Sequence, residues 1–231
     1  MPSVLITGSN RGLGLEWVRQ YTGAGWRVYA TCRHPAEATE LLQLAAQQPT
    51  LSVHRLDITA SIDVRALRWE IGQQPIDVLL NNAALYLDKD APMLGSLRYD
   101  DWMASFAANT LGAVRVSEAL LANVAAGQRR LIVALTSHMG SIAEIESSDS
   151  LYYRSSKAAL NAAMKGLSVA LRGRGIGVLL LHPGWVRTRM GGPEGRLDAA
   201  ESVAAMRRLI DDFRPADSGR FLRYDGSEIP W

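Results

Sequence analysis

The sequence predicts a single α/β domain, built on a doubly wound, mostly parallel sheet of about seven strands with helices on both faces. Three observations carry that expectation. Short apolar runs rich in β-branched residues alternate with longer helical patterns through all 231 residues. Runs such as Val78-Leu79-Leu80 and Leu131-Ile132-Val133-Ala134-Leu135 are continuously apolar, which suits strands buried on both faces. No linker, internal repeat or low-complexity tract divides the chain, and its length is near the upper end for one domain.

The elements follow in order. The first strand is expected at 3–6 and gives way through a glycine-rich turn to a helix at 12–23. A second strand at 27–31 precedes a helix at 36–47, and a third at 51–56 precedes a helix at 60–72. The fourth strand, 76–80, leads by way of Asn81-Asn82-Ala83 to a long helical segment at 98–125. The fifth, 131–136, is followed by a helix at 151–172, and the sixth, 176–181, by a helix at 198–213. A last short strand is placed at 221–224. Strand–helix alternation of this kind implies right-handed crossovers and a parallel sheet, the Rossmann architecture.

Composition narrows the function classes. With 25 basic and 23 acidic residues the formal charge is +2, a balance that calls for neither nucleic acid nor an anionic membrane as partner. No apolar run approaches the roughly 18 residues of a membrane span. The start, MPSVLITGSN, lacks the basic and apolar regions of a signal peptide. The lone cysteine, Cys32, rules out an internal disulfide framework and fits a reducing compartment, so the cytoplasm is the expected location. Only three of the 25 basic residues are lysines (Lys89, Lys157, Lys165), which leaves 22 arginines. Each retained lysine therefore invites a specific reason.

The turn after the first strand reads Thr7-Gly8-Ser9-Asn10-Arg11-Gly12-Leu13-Gly14. Glycines there allow a tight turn and let backbone N–H groups approach a pyrophosphate at the positive end of a helix. The spacing is Gly-x-x-x-Gly-x-Gly, and with the preceding threonine it resembles the TGxxxGxG signature of short-chain dehydrogenases/reductases. The segment at Asn81-Asn82-Ala83 is similar to that family's NNAG motif, with Ala84 in place of the glycine. If that position needs a positive φ, alanine is strained there.

The second strand ends Thr31-Cys32-Arg33, with no acid to accept from a ribose 2′-hydroxyl before Glu37. Arg33, with Arg11 from the glycine turn, is placed to pair with a 2′-phosphate, which selects NADP(H) over NAD(H). Asp57-Ile58, after the third strand, resembles the family's adenine contact. Pro183-Gly184-Trp185-Val186-Arg187-Thr188 looks like its PG-x-V-x-T segment, in which Pro183, Gly184, Val186 and Thr188 would meet the nicotinamide.

Tyr153 and Lys157 are four residues apart on one predicted helix and share a face. Seven tyrosines and three lysines yield roughly 0.1 such pairs by chance. Delivering hydride to a carbonyl leaves an alkoxide that needs a proton, and a cation near a phenol lowers its pKa toward neutrality. Tyr153 is therefore expected as general acid in reduction and base in oxidation. Ser137, in Ser137-His138-Met139-Gly140, matches the family's Ser-x-x-Gly and would hold the substrate oxygen. The resemblance also makes Asn109 the holder of a water that relays protons to Lys157. His138 and His182 flank strands and are expected to be structural.

The segment Arg189-Met190-Gly191-Gly192 and the ending 224–231 narrow the resemblance to the subgroup of C-factor-like and sniffer-like carbonyl reductases. That subgroup leaves two readings open: a reductase, or an NADP(H)-binding signalling or redox-sensing protein with little turnover. Leu85, Tyr86, Leu87, Met93, Leu94, Met139, Ile142, Trp185 and Met190 are expected to wall a pocket for a hydrophobic aldehyde or ketone. Both a monomer and a homodimer through the helices of Asn109 and Tyr153 are compatible with the sequence.

Overall fold

The computed structural model describes residues 1–89 and 94–231. Met93, one of the expected pocket residues, lies outside the described residues. Seven strands form one sheet in the order β3-β2-β1-β4-β5-β6-β7, and every pairing is parallel. The strands are β1 Ser3–Thr7, β2 Arg27–Cys32, β3 Leu51–Arg55, β4 Val78–Asn81, β5 Leu131–Leu135, β6 Gly177–His182 and β7 Phe221–Arg223. The helices that cover it include α1 Gly12–Gly23, α2 Thr39–Gln47, α3 Ser61–Ile71, α4 Tyr99–Phe106, α5 Ala113–Ala119, α6 Leu121–Ala126, α7 Leu151–Ala170 and α8 Ala199–Asp211.

The continuous apolar runs make sense once both faces of the sheet are followed. Along β1, Val4 and Ile6 join one core with Trp17, Val18 and Tyr21 of α1 and Met206 of α8. Leu5, between them, points to a second core with Val64 and Leu67 of α3 and Leu160 and Met164 of α7. The other central strands divide in the same way, Leu131, Val133 and Leu135 on one side against Ile132 and Ala134 on the other. Period-two alternation thus exists, but both halves of it are apolar.

The segment expected as one helix over 98–125 is broken. A π-helical turn, Ala107–Gly112, separates α4 from α5, and α6 begins afresh after Leu120. Two packing demands lie there. A Cβ on Gly112 would fall 2.8 Å from the Ile58 side chain, and the buried Asn109 is tied to the Leu85 backbone. Apolar periodicity reads straight through such a turn, because it is imposed by tertiary contacts.

Because β1, β2 and β3 run out one way and β4 restarts on the other side of β1, the sheet has its reversal between β1 and β4. In doubly wound sheets the crevice for a ligand opens at the carboxyl ends of strands at such a point.

Candidate active site

The glycine turn occupies that point. Gly8 and Gly12 have φ of 70° and 54°, in the left-handed region. A Cβ on Gly14 would come within 2.0 Å of the Gly8 carbonyl oxygen, so α1 runs against the turn as only glycine permits. Ser9 fastens the turn to the sheet, its N–H donating to Thr31 O and its hydroxyl to Ile6 O, both at 2.9 Å. Asn82 ties it to the end of β4, donating to the carbonyls of Thr7 (2.8 Å) and Gly8 (3.1 Å). The Thr7 hydroxyl accepts from the N–H groups of Asn82 and Ala83, each at 3.0 Å. Among the described residues, Arg130 and Ser150 are the non-glycine residues with positive φ. Ala84 therefore carries no left-handed strain.

The first turn of α1 has neither a capping side chain nor an acidic residue. Its N–H groups, at the positive end of the helix, suit an anion. Exposed Arg11 and Arg33 stand beside it with Arg189. Partial burial, then the charges of Arg189 and Arg33, hold the Arg11 guanidinium below its usual pKa. Among the described residues none of these three arginines has an ion-pair partner. Asp57 lies nearby. Burial opposes its ionisation, but hydrogen bonds from Thr59 and the charges of Arg33 and Arg55 hold its carboxyl below the usual range. Thr188 faces the turn across the crevice, its methyl 3.6 Å from where a Gly12 Cβ would lie. Gly184 has φ 80° and its missing Cβ leaves room for Leu197 and Tyr224, which would otherwise sit 2.6 and 2.9 Å away.

The expected catalytic residues come together at the ends of β5 and α7. Tyr153 is buried, as are Ser137, Lys157 and Asn109. Ser137 caps the short turn after β5 by accepting from Met139 N–H (3.1 Å), and it hydrogen-bonds Tyr153. The Lys157 ammonium lies 5.7 Å from the centroid of the Tyr153 ring and donates to Leu135 O at 2.8 Å. Asn109 donates to Leu85 O (2.8 Å) and Ser156 Oγ (2.9 Å) and accepts from Leu85 N–H (2.7 Å), so its side-chain amide is engaged within the protein.

The electrostatics differ from the sequence-based expectation that the lysine lowers the pKa of the phenol. Burial, followed by the neighbouring Tyr86, raises the Tyr153 phenol, and the Ser137 hydrogen bond opposes that rise only partly. Burial also pushes Lys157 down to about 7. In this form desolvation dominates, because the ammonium is turned to the Leu135 carbonyl and both groups are shut away from water.

His138 and His182 stack with ring centroids 4.9 Å apart. Burial and the neighbouring His138 and Arg223 push His182 down to about 3, and its Nδ1 has no hydrogen-bond partner. His182 is a buried group at the end of β6, stacked on the exposed His138 that follows β5.

The model for short chain dehydrogenases matches residues 2–197. The chain belongs to the short-chain dehydrogenase family. Over 168 residues this dehydrogenase is 44% identical to the C-signal of Myxococcus xanthus, covering 73% of the present chain and all of that protein. It is similar to the carbonyl reductase Sniffer of D. melanogaster, with a TM-score of 0.94, 30% identity and full coverage of both chains. A carbonyl reductase from chicken fatty liver, whose structure contains NADPH, superposes with a TM-score of 0.92 at 30% identity, over 100% of this chain and 99% of that one.

Three residues of the candidate site were not read as such from the sequence. Asp88 is fully buried and caps α7 from a distant loop, accepting from Tyr152 N–H at 2.5 Å and from Tyr153 N–H at 3.3 Å. Tyr86, expected only as a pocket wall, stacks on Tyr153. Arg189 joins the arginine cluster. The first two lie in the segment just after the Asn-Asn-Ala motif, and only chain folding brings them to α7. Of the other expected pocket residues, Leu94, Ile142, Trp185 and Met190 are exposed, and Leu85, Leu87 and Met139 are half-buried.

Proposed function

We propose that the protein is an NADP(H)-dependent carbonyl reductase acting on hydrophobic aldehydes or ketones. The observation that carries the reading is the pairing of two half-sites across one crevice. An uncapped helix end beside an arginine cluster fits a phosphorylated dinucleotide, and a buried Ser137–Tyr153–Lys157 group fits proton transfer to a carbonyl oxygen.

Backbone N–H groups of 8–14 would hold the pyrophosphate, with Arg33 and Arg11 on the 2′-phosphate. Asp57 and Ile58 would meet the adenine, and Asn82 and Ala83 shape the floor beneath the turn. Pro183, Gly184, Val186 and Thr188 would line the nicotinamide. When bound, NADP(H) supplies or accepts the hydride. Ser137 orients the substrate oxygen, and Tyr153 hands it the proton that the developing alkoxide requires. The Lys157 ammonium carries three donors, of which Leu135 O takes one, so two remain for ribose hydroxyls. For Asn109 the side chain is committed to Leu85 and Ser156, so a proton-relaying water would rest on its main-chain carbonyl in the π turn.

The likeness to the C-signal keeps a second reading in view, an NADP(H) sensor with little turnover. Titration with NADPH and NADH, followed by turnover of aromatic aldehydes read from nicotinamide absorbance, separates the two. The reductase reading expects tight NADPH binding with turnover, and loss of that turnover in Tyr153→Phe with binding retained. Binding without turnover on any aldehyde or ketone favours the sensor, and failure of both nucleotides to bind refutes the site assignment.

A further inference from the structure

We propose that Tyr86 is a positioning residue for Tyr153: its ring covers one face of the phenol, excludes water from it, and so sets the pH range in which that phenol exchanges its proton. The inference rests on the reading of Tyr153 as the proton-transfer group.

The geometry is specific. The two rings stack with centroids 4.5 Å apart and planes inclined by 29°. The Tyr86 hydroxyl is held 2.6 Å from Ser150 Oγ. Ser150 is itself buried just before α7, with φ of 55°, a conformation costly for a non-glycine residue and sustained only by its surroundings. Both flanks of Tyr86 are pinned. Asn109 takes both backbone groups of Leu85, and Asp88 accepts from the N–H of Tyr153 itself. The Lys89 ammonium sits 5.5 Å from the Tyr86 centroid and donates to Arg189 O at 3.2 Å, across the cleft. Tyr86 is therefore fixed by three separate elements onto one ring, which is more than packing of a pocket wall requires.

The groups facing Tyr153 can be named. Ser137 approaches from the end of β5, Lys157 from one turn along α7, the Asp88 carboxylate from the backbone side, and Tyr86 from the ring face. Tyr86 stacks on the ring at 4.5 Å, while the Lys157 ammonium lies 5.7 Å from its centroid. Burial first, and then the charge of the Tyr86 hydroxyl, keep the Tyr153 phenol protonated.

Two variants test this, Tyr86→Leu and Tyr86→Phe, each made also on the Tyr153→Phe background. The difference in tyrosinate absorbance between each protein and its Tyr153→Phe counterpart isolates the Tyr153 phenol without any turnover. Tyr86→Leu is expected to lower the pH at which that phenol ionises by about one unit, since water regains one face. Tyr86→Phe keeps the ring and loses only the charge of the Tyr86 hydroxyl, so it is expected to shift that pH less than Tyr86→Leu does. With NADPH and 4-nitrobenzaldehyde, Tyr86→Leu is expected to lose about tenfold in kcat with KM for NADPH little changed, and Tyr86→Phe to retain most of it. Ionisation of Tyr153 at the same pH in folded Tyr86→Leu as in the parent would overturn the proposal. An absorbance shift in a parent protein that turns over no carbonyl would sink the reductase reading while leaving the positioning role intact.

Discussion

Lowering the pH from 7 to 5 should destabilise the free protein through His182. This side chain is buried against His138, and its pKa falls from 6.5 to about 3. A histidine whose folded pKa is depressed binds its proton more readily in the unfolded chain. Stability is therefore lost as pH falls below 6.5, and the loss levels off only below about 3. At pH 5 the unfolded chain has gained about one and a half pKa units of proton affinity over the fold. At about 1.4 kcal/mol per unit this is about 2 kcal/mol, a sizeable part of the 5 to 15 kcal/mol (roughly) that holds a domain together. His138, also held low by burial, adds in the same direction. Buried carboxylates held below their ordinary values, such as Asp77, lose their contribution only at lower pH, outside this window. Urea unfolding of the parent and of His182→Phe, at pH 7 and pH 5, isolates the effect, because phenylalanine keeps a stacking ring and cannot titrate. The parent should lose about 2 kcal/mol more than the variant between the two pH values. Parallel losses in the two proteins would refute the argument.

Two further outcomes follow from side chains at the site. Asp88→Ala removes the carboxylate that caps α7 and should cost about 1 to 3 kcal/mol in urea unfolding, with partial recovery in Asp88→Asn; an unchanged midpoint would mean that the first turn does not depend on the cap. Arg33→Ala should weaken NADPH by about 10- to 100-fold relative to NADH, measured by quenching of protein fluorescence, and equal losses for both nucleotides would remove Arg33 from the 2′-phosphate.

The sheet was almost fully legible because a strand buried on both faces leaves a run of apolar residues whichever way its neighbours are ordered. Helix α1 begins and ends at Gly12 and Gly23, as read from the sequence, since the turn before it announces itself in glycines. The rod at 98–125 was not legible in detail. Its π turn answers to Ile58 and Leu85, residues far away in the chain, and leaves no local mark. The same division runs through the site. Tyr153 and Lys157 share a helix face, so spacing alone pairs them. Asp88 and Tyr86 reach α7 across more than 60 residues of sequence, and nothing in their immediate context distinguishes a capping aspartate from a loop aspartate. The lysine count proved informative in two more places than Lys157. Lys89 bridges the cleft to Arg189, and Lys165 donates to Gly219 O at 3.0 Å beneath Trp231.

Arg11, Arg33 and Arg189 have a consequence for how the protein answers to its medium. Like charges gathered at one mouth, with Asp57 as a nearby counter-charge to Arg33, raise the energy of the free fold, and the same charges draw an incoming anion. Ions shield both effects beyond about 8 Å at physiological strength. Added salt thus works in two directions on one cluster, relaxing the free protein while loosening its hold on a phosphorylated ligand. Melting temperature and ligand affinity should then trend oppositely along a salt series, so the crevice behaves as a spring that is loaded in dilute buffer and slackened in brine.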